Sequence, residues 1–114
     1  MHILERHVHD VRNVAEFWKR ERQFQDAEDR LGGFPAKRYY YLISGRDNTG
    51  TMAHEREWES LSAMETAYET LFNEPGIMDL GDSGSAFGNT ERTEFYSVET
   101  PPTTTLKPED LVSF

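Results

Sequence analysis

The feature that most constrains the fold of this chain is a repeated switch in the spacing of its apolar residues. Residues 2–9 alternate loosely between apolar and polar, as the residues of a half-buried strand do. From Val11 the apolar residues follow helical spacing, until Gly32-Gly33 and Pro35 end the pattern. We therefore expect a first strand over 2–9 and a helix over about 12–31. The apolar stripe of this helix consists of Val14, Phe17, Trp18, Phe24, Ala27 and Leu31.

The middle of the chain predicts two further strands and a second helix. Residues 37–44 are aromatic and β-branched, residues 52–59 alternate, and the turn formers of residues 45–50 predict a hairpin loop between them. Ser62-Ala-Met-Glu65 matches a capping box, which predicts the start of the second helix. The apolar stripe behind it consists of Met64, Ala67, Tyr68, Leu71 and Phe72, and the pattern ends at Pro75-Gly76.

The last part of the chain predicts a loop, one strand and a tail. Residues 76–90 are rich in Gly, Ser and Asp, with a short helical turn expected at 77–80. Residues 91–98 contain Phe95, Tyr96 and Val98 and are typical of a strand. Residues 100–114 begin with a Pro- and Thr-rich run that favours extended structure, so we expect a domain over 1–99 followed by an extended tail.

The predicted order of elements, β-α-β-β-α-β, is that of a ferredoxin-like α+β sandwich. Right-handed crossovers give an antiparallel sheet of order 4-1-3-2, with strands 1 and 3 in the centre. Both helices then cover one face of the sheet and leave the other face bare. A bare sheet face indicates a partner. We therefore expect a homodimer that closes a dimeric α+β barrel.

Composition supports a second subunit and excludes several classes of partner. Only 36% of the 114 residues are apolar, but they include seven Phe, five Tyr and two Trp, so the core is small and built from large side chains. The net charge of −9 argues against nucleic acid and anionic membrane surfaces as partners. The absence of Cys excludes disulfides and thiolate sites. The residues Met1 to Arg6 lack the features of a signal peptide, so the expected location is cytoplasmic.

Three short stretches resemble a known family. They are Leu4-Glu-Arg-His-Val-His9 followed by Val14-Ala-Glu-Phe17, the Gly32-Gly33 break, and His54-Glu-Arg-Glu-Trp-Glu-Ser-Leu61 leading into an acidic second helix. Together they resemble a NIPSNAP-like member of the dimeric α+β barrel superfamily. That superfamily includes cofactor-free monooxygenases, muconolactone-type isomerases and haem-degrading enzymes. The resemblance therefore implies a pocket between sheet and helices but no single reaction.

Three other motif matches are rejected. Gly81-Asp-Ser-Gly84 is similar to the nucleophile segment of serine proteases, but a chain of 114 residues cannot form their two barrels. His54-Glu-Arg-Glu-Trp58 is similar to a zinc-protease motif, but Trp58 replaces the second His and the segment is predicted to be a strand. Asp47-Asn-Thr-Gly50 lacks the further oxygen ligands of a calcium loop.

The spacing of His7 and His9 makes them weak candidates for a metal site. On a strand, residues i and i+2 point to the same side, and Glu5 shares that parity. His54 could reach them from the neighbouring central strand. Structural or exposed histidines are the more common outcome, so no metal and no other cofactor is expected. Haem ligation by His54, His7 or His9 stays open as a third interpretation.

The favoured site is a cleft lined by aromatic and basic side chains. His54, Arg56 and Trp58 alternate on one face of the third strand, and Arg6, Tyr39 and Tyr41 are expected to join them as ligand-binding residues. His54 is the candidate for proton transfer, and Arg6 or Arg56 for stabilising an oxyanion. In the alternative interpretation both arginines form cross-strand ion pairs with Glu55, Glu57 or Glu94.

These residues lead to a ranked set of functions. The first is a small-molecule-binding dimer, with a cofactor-free monooxygenase or isomerase of an enolisable or phenolic compound as its enzymatic form. The second is a non-enzymatic binding or interaction module. The sequence does not decide whether the protein is an enzyme.

Overall fold

The computed structural model describes residues 1–47, 49–79 and 88–99, with the backbone alone described at residues 88–91. Within these ranges the chain forms four strands and two helices of more than one turn. In chain order they are β1 Ile3–Val11, α1 Val14–Leu31, β2 Arg38–Tyr41, β3 Thr51–Trp58, α2 Leu61–Phe72 and β4 Gly88–Ser97. A further helical stretch begins at residues 77–79, where a turn was predicted.

The four strands form one sheet in the order β2-β3-β1-β4. This is the predicted order read from the opposite edge, and all three pairings are antiparallel. The central pair β1 and β3 sets His7 opposite His54 and Glu5 opposite Arg56. The ferredoxin-like α+β architecture predicted from the order of periodicities is confirmed.

Both helices pack on the same face of the sheet, which we call the inner face. At one end of this face Ile3 and Trp58 pack against Met64 and Ala67 of α2. At the other end Val11 and Met52 pack around Phe17 of α1. A third apolar cluster, which joins α1, α2 and the segment after α2, contains Ala27, Leu71 and Ile77. The apolar core is therefore divided, and the middle of the inner face carries polar side chains.

The ends of α1 follow from local chemistry. Asn13 has an extended backbone, and its Oδ1 accepts a hydrogen bond of 3.1 Å from the Glu16 amide, which satisfies one of the free N–H groups of the first turn. At the other end Gly32, at φ 76°, donates its N–H to the Glu28 carbonyl at 2.8 Å. A positive φ favours glycine, so the predicted stop at Gly32 is confirmed.

The start of α2 differs from the prediction. Ser60, and not Ser62, caps the helix: its extended backbone directs Oγ to the Ala63 amide at 3.1 Å. The predicted capping box over residues 62–65 is therefore wrong, because Ser62 already lies in the first turn.

The second strand is also shorter than predicted. It spans Arg38–Tyr41 instead of residues 37–44, although the Leu42 amide still donates to the Thr51 carbonyl at 3.0 Å. The last strand begins earlier than predicted, at Gly88, and its pairing with β1 shifts register between Val8 and His9. The predicted tail over 100–114 lies outside the described residues.

No helix in the described ranges is both long enough and apolar enough to cross a membrane.

Candidate functional site

A cluster of buried polar side chains occupies the middle of the inner face. Strand alternation directs Glu5, His7 and His9 of β1 to this face, with His54 and Arg56 of β3 beside them. The facing helix and the segment after it contribute Glu21, Glu28 and Lys37, and we call these eight residues the inner polar cluster.

Glu5 is the central acceptor of this cluster. It is 1% exposed, and its carboxylate accepts hydrogen bonds from the Trp58 indole at 2.8 Å and the Tyr68 hydroxyl at 2.5 Å. His7 Nε2 lies 2.6 Å from the same carboxylate. Burial raises the pKa of Glu5, but the bonds from His7, Tyr68 and Trp58 outweigh it and hold the pKa at about 2. Glu5 is therefore a carboxylate at neutral pH.

Arg56 carries the buried positive charge opposite Glu5. Its Nη2 donates to Glu28 Oε1 at 2.8 Å, and its Nε lies 3.9 Å from Glu5 Oε1. Within the described part of the chain, Arg56 Nε and Nη1 have no hydrogen-bond partner. Burial raises the pKa of Glu28 despite the charge of Arg56, with further contributions from the nearby glutamates. Two donors of a buried guanidinium are thus available to an acceptor on a ligand.

The three inner histidines form a stack. The ring of His54 lies between those of His7 and His9, with centroids 4.6 Å and 4.9 Å away. His9 Nε2 is 2.9 Å from His54 Nδ1, a hydrogen-bond distance. Burial lowers the pKa of His54 to about 3 and that of His9 to about 4, with repulsion from neighbouring cationic side chains adding to the effect. Both imidazoles are therefore neutral at physiological pH.

Glu21 is held from the side of β2. Its Oε2 accepts a hydrogen bond from the Tyr39 hydroxyl at 2.7 Å, and Lys37 Nζ lies 3.4 Å from the same oxygen. Burial, followed by the charge of Glu21, raises the pKa of Tyr39, which keeps the hydroxyl protonated as a donor. The edge-on contact of Trp18 with Tyr39, at 4.7 Å, covers this side of the cluster.

Two adjoining cavities open onto the cluster. The inner cavity, of about 290 Å³, is lined by His7, His54 and Arg56. The second, of about 430 Å³, is a more apolar groove bounded by Met64 and Phe95. Both cavities include His7, Tyr68 and Phe72 in their walls, so His7 lies at the junction between a polar pocket and an apolar groove.

The structure brings together four of the residues predicted from sequence. His54, Arg56 and Trp58 share the inner face, and the Tyr39 ring lies 5.7 Å from that of His54. Of these four, His54 and Arg56 line the inner cavity. The binding and catalytic roles of all four stay predictions.

The predicted convergence of Arg6 with this group is wrong. Arg6 lies on the opposite, outer face of the sheet and pairs with Glu55, as the alternative interpretation expected. That pairing raises the pKa of Arg6. Tyr41 is also apart: it is 59% exposed and, with Arg6, borders an outer cavity of about 690 Å³. For Arg6, the assumption that failed is which parity of β1 shares a face with His54.

Sequence reasoning missed the contribution of α1 and of its following segment. Glu21 and Glu28 are charged residues within the helical stripe of Phe17, Phe24 and Leu31, spaced by three and four residues. A carboxylate in an apolar stripe is the signal that could have identified them, because a buried charge needs a partner. The acceptor role of Glu5 was also missed, although its parity was correctly assigned.

The rejected motifs fall in unrelated places. His54 to Trp58 lie on β3, as predicted, and not on a helix. Asp47 pairs through both carboxylate oxygens with Arg92, which lowers the pKa of Asp47 and raises that of Arg92. The segment Gly81 to Gly84 lies outside the described residues. Haem ligation by His54, His7 or His9 stays a prediction.

Comparison with known proteins gives matches at the level of structure. No protein-family model matches the sequence. No curated protein matches it either. Among solved structures, SnoaB, a cofactor-independent oxygenase from Streptomyces nogalater, superposes with a TM-score of 0.62 at 15% identity, covering 90% of this chain and 98% of its own.

Two NIPSNAP proteins give similar superpositions. A NIPSNAP family protein from Agrobacterium tumefaciens has a TM-score of 0.62 at 17% identity, covering 94% of this chain and all of its own. An uncharacterized NIPSNAP-like domain protein from Burkholderia xenovorans has a TM-score of 0.60 at 19% identity, covering 96% and 97%. At identities this low the superpositions show a shared fold alone, and that fold is the one that the resemblance implied.

Proposed function

We propose that this NIPSNAP-like α+β barrel protein binds a small enolisable or phenolic compound at the junction of its two inner cavities and transfers a proton on it. The observation that carries the proposal is the position of His7, which borders both cavities while Glu5 holds its Nε2 at 2.6 Å. A buried carboxylate that orients an imidazole is a recurring arrangement in acid–base catalysis.

The two cavities suit the two ends of such a ligand. The groove offers apolar and aromatic contact from Met64, Phe72 and Phe95, which fits a ring or an alkyl chain. The inner cavity offers the unpartnered Nε and Nη1 donors of Arg56, which fit a carbonyl or an anionic oxygen. An oxygen bound there becomes more negative when the compound loses a proton, so Arg56 stabilises the resulting anion.

His7 is a better proton acceptor than His54, the group favoured from sequence. A pKa of about 3 makes neutral His54 a weak base at physiological pH. His7 is less buried, with 21% of its side chain exposed, and it borders both cavities. Because Glu5 holds its Nε2, the proton would go to Nδ1, which lies 3.1 Å from the Thr93 hydroxyl. A C–H or O–H group that a neighbouring carbonyl or aromatic ring acidifies would take the place of that hydroxyl and give its proton to His7.

The fate of the resulting anion defines two reaction classes. Return of the proton to a different carbon completes an isomerisation. Reaction of the anion with dioxygen, which accepts its electrons, completes an oxygenation, and the structurally similar SnoaB is a cofactor-independent oxygenase. The proton-transfer step is common to both classes, so it is the step to test first.

We expect His7→Ala to slow proton transfer by about 100-fold or more, because general acid–base catalysis contributes ~10²–10⁴-fold. The measurement is exchange of carbon-bound hydrogen for deuterium in D₂O, followed by NMR on a panel of small 1,3-diketones and naphthols. The matched control is His2→Ala, since His2 is largely exposed and far from both cavities.

Either of two results would count against this assignment. Unchanged exchange in His7→Ala would remove His7 from the reaction, and no exchange by the wild-type protein on any compound would remove the proposal. In the same assay, a His54→Ala variant that retains full exchange would show that His54 is not the proton-transfer group.

We also propose that the outer face of the sheet pairs with a second copy of the chain. Tyr40 and Tyr96 lie on this face, on opposite edge strands, and are 45% and 42% exposed. Ile43, which lines the outer cavity with Tyr40, is 94% exposed. Exposed aromatic and aliphatic side chains of this kind are typical of subunit interfaces. A symmetric dimer would cover both copies of the same surface.

Light scattering after size exclusion at micromolar concentration tests the dimer. We expect a wild-type dimer and a monomer for the double variant Tyr40→Glu with Tyr96→Glu, because four carboxylates would meet across the symmetric interface. Gln23→Glu, on the exposed side of α1, is the control and should stay dimeric. A monomeric wild-type protein would contradict the proposal.

A further inference from the structure

The geometry points to a divalent metal site formed by His9, Glu21 and His54, a function that goes beyond the proposed proton transfer. The three residues come from β1, α1 and β3, so the site exists only in the folded chain. One potential ligand atom of each lies within 4.8 Å of the others, and all three residues are buried.

The spacing needs only a small adjustment to bind an ion. Zinc bonds to imidazole nitrogen and carboxylate oxygen are about 2.0–2.2 Å long, so tetrahedral ligand atoms stand about 3.3 Å apart. His9 Nε2 and His54 Nδ1 are 2.9 Å apart and would separate slightly. The other separations within the set are at most 4.8 Å, so a movement of the Glu21 carboxylate by up to ~1.5 Å would bring it into range.

The donor set matches the chemistry of a first-row divalent ion. Two imidazoles and one carboxylate are the ligands of many Zn²⁺ sites that keep a fourth position for water.

Neighbouring side chains hold each of the three metal-binding residues in position. The Tyr39 hydroxyl and Lys37 Nζ both hold Oε2 of Glu21. Stacking on His7 fixes the ring of His54, and an edge contact with Phe17 at 5.3 Å fixes that of His9. Partners of this kind orient metal ligands, and their loss commonly weakens binding by ~10–100-fold.

This site is not the one that the His7-x-His9 spacing suggested. Glu5 already accepts hydrogen bonds from Trp58 and Tyr68 and holds His7. The new site instead takes Glu21 from α1 and uses the contact between His9 and His54. Of the four histidines in the chain, two belong to the site and two do not, which provides matched controls.

The test uses tag-free full-length protein dialysed against EDTA and then freed of chelator. We expect ZnCl₂ titration by calorimetry to give one ion per chain, and CoCl₂ to produce the intense visible absorption of four-coordinate Co²⁺. Bound Zn²⁺ should raise the melting temperature, and EDTA should reverse the rise.

Variants separate this site from any other. Glu21→Gln, which preserves shape, and His54→Asn should each abolish stoichiometric binding and the cobalt absorption, with circular dichroism checking that they remain folded. Tyr39→Phe should weaken binding by ~10–100-fold, and His2→Ala should bind as the wild type does. A wild-type protein that is folded but binds no Zn²⁺ would overturn the inference, as would binding that Glu21→Gln and His54→Asn leave unchanged.

Discussion

Replacement of Arg56 by Met lowers the free energy of unfolding by up to about 3–5 kcal/mol, because it removes the closer of the two cationic partners of the buried Glu28 carboxylate and leaves Lys37, 3.3 Å away, as the other. Arg56 is 2% exposed, and Met has a similar length without the charge. The guanidinium also stacks over the ring of Phe34 at 5.1 Å, a contact that the variant loses. Urea unfolding followed by circular dichroism measures the change.

Two further variants identify the cause of this loss. The double variant Arg56→Met with Glu28→Leu should recover much of the stability, since removing both members of a buried ion pair is often neutral or favourable. Arg38→Met, at an exposed position of β2, should change stability by about 0.5 kcal/mol or less. A loss below about 1 kcal/mol for Arg56→Met alone would show that Arg56 is not held by Glu28 as the structure indicates.

The inner polar cluster interrupts the apolar core of this chain. Val11, Phe17 and Met52 pack at one end of the inner face, while a separate apolar cluster around Trp58 packs at the other. The sheet positions between them could have completed a continuous core but hold charged and imidazole side chains instead. Hydrogen bonds and ion pairs among these side chains offset the cost of burying them, so a single replacement affects several partners. Positions of this kind are retained where a site needs them.

Sequence reasoning predicted the elements well because each depends on local chemistry. The alternation of Met52 to Trp58 and the stop at Gly32 can be read from neighbouring residues alone. The prediction failed where two nearby residues could serve as the same helix cap. Ser60 and Ser62 are both good caps, and only the path of the chain after β3 selects Ser60. The fold class depends on the order of the elements and not on their exact ends, so such errors did not change it.

The candidate site was only partly predictable because it depends on how separate elements meet. Alternation showed that His54, Arg56 and Trp58 share a face, but it could not show that Arg6 lies on the other one. That assignment requires the register of β1 against β3. Likewise Glu21 is recognisable as a charge in an apolar stripe, but its approach to His9 and His54 follows from the packing of α1 on the sheet.

Acid is expected to destabilise the protein through Glu5 over a defined pH range. The folded pKa of about 2 lies below the ordinary value of 4.5, so the group contributes its full stability above about pH 4.5. As the pH falls towards 2 the folded state takes up a proton later than the unfolded state, and the contribution is lost. A difference of about 2.5 pKa units corresponds to roughly 3 kcal/mol.

Comparison of wild type with Glu5→Gln isolates this effect from the other acids, including Glu28, whose raised pKa acts in the opposite direction. Urea unfolding from pH 7 to pH 2.5 should show Glu5→Gln less stable by about 3 kcal/mol at neutral pH, with the gap closing below pH 4. Glu57→Gln, at an exposed position of β3, should follow the wild-type curve closely. If the difference in free energy of unfolding between wild type and Glu5→Gln stays constant with pH, the loss comes from the geometry of the hydrogen bonds and not from the charge of Glu5. Only an ionised group with a lowered pKa makes this stability depend on pH.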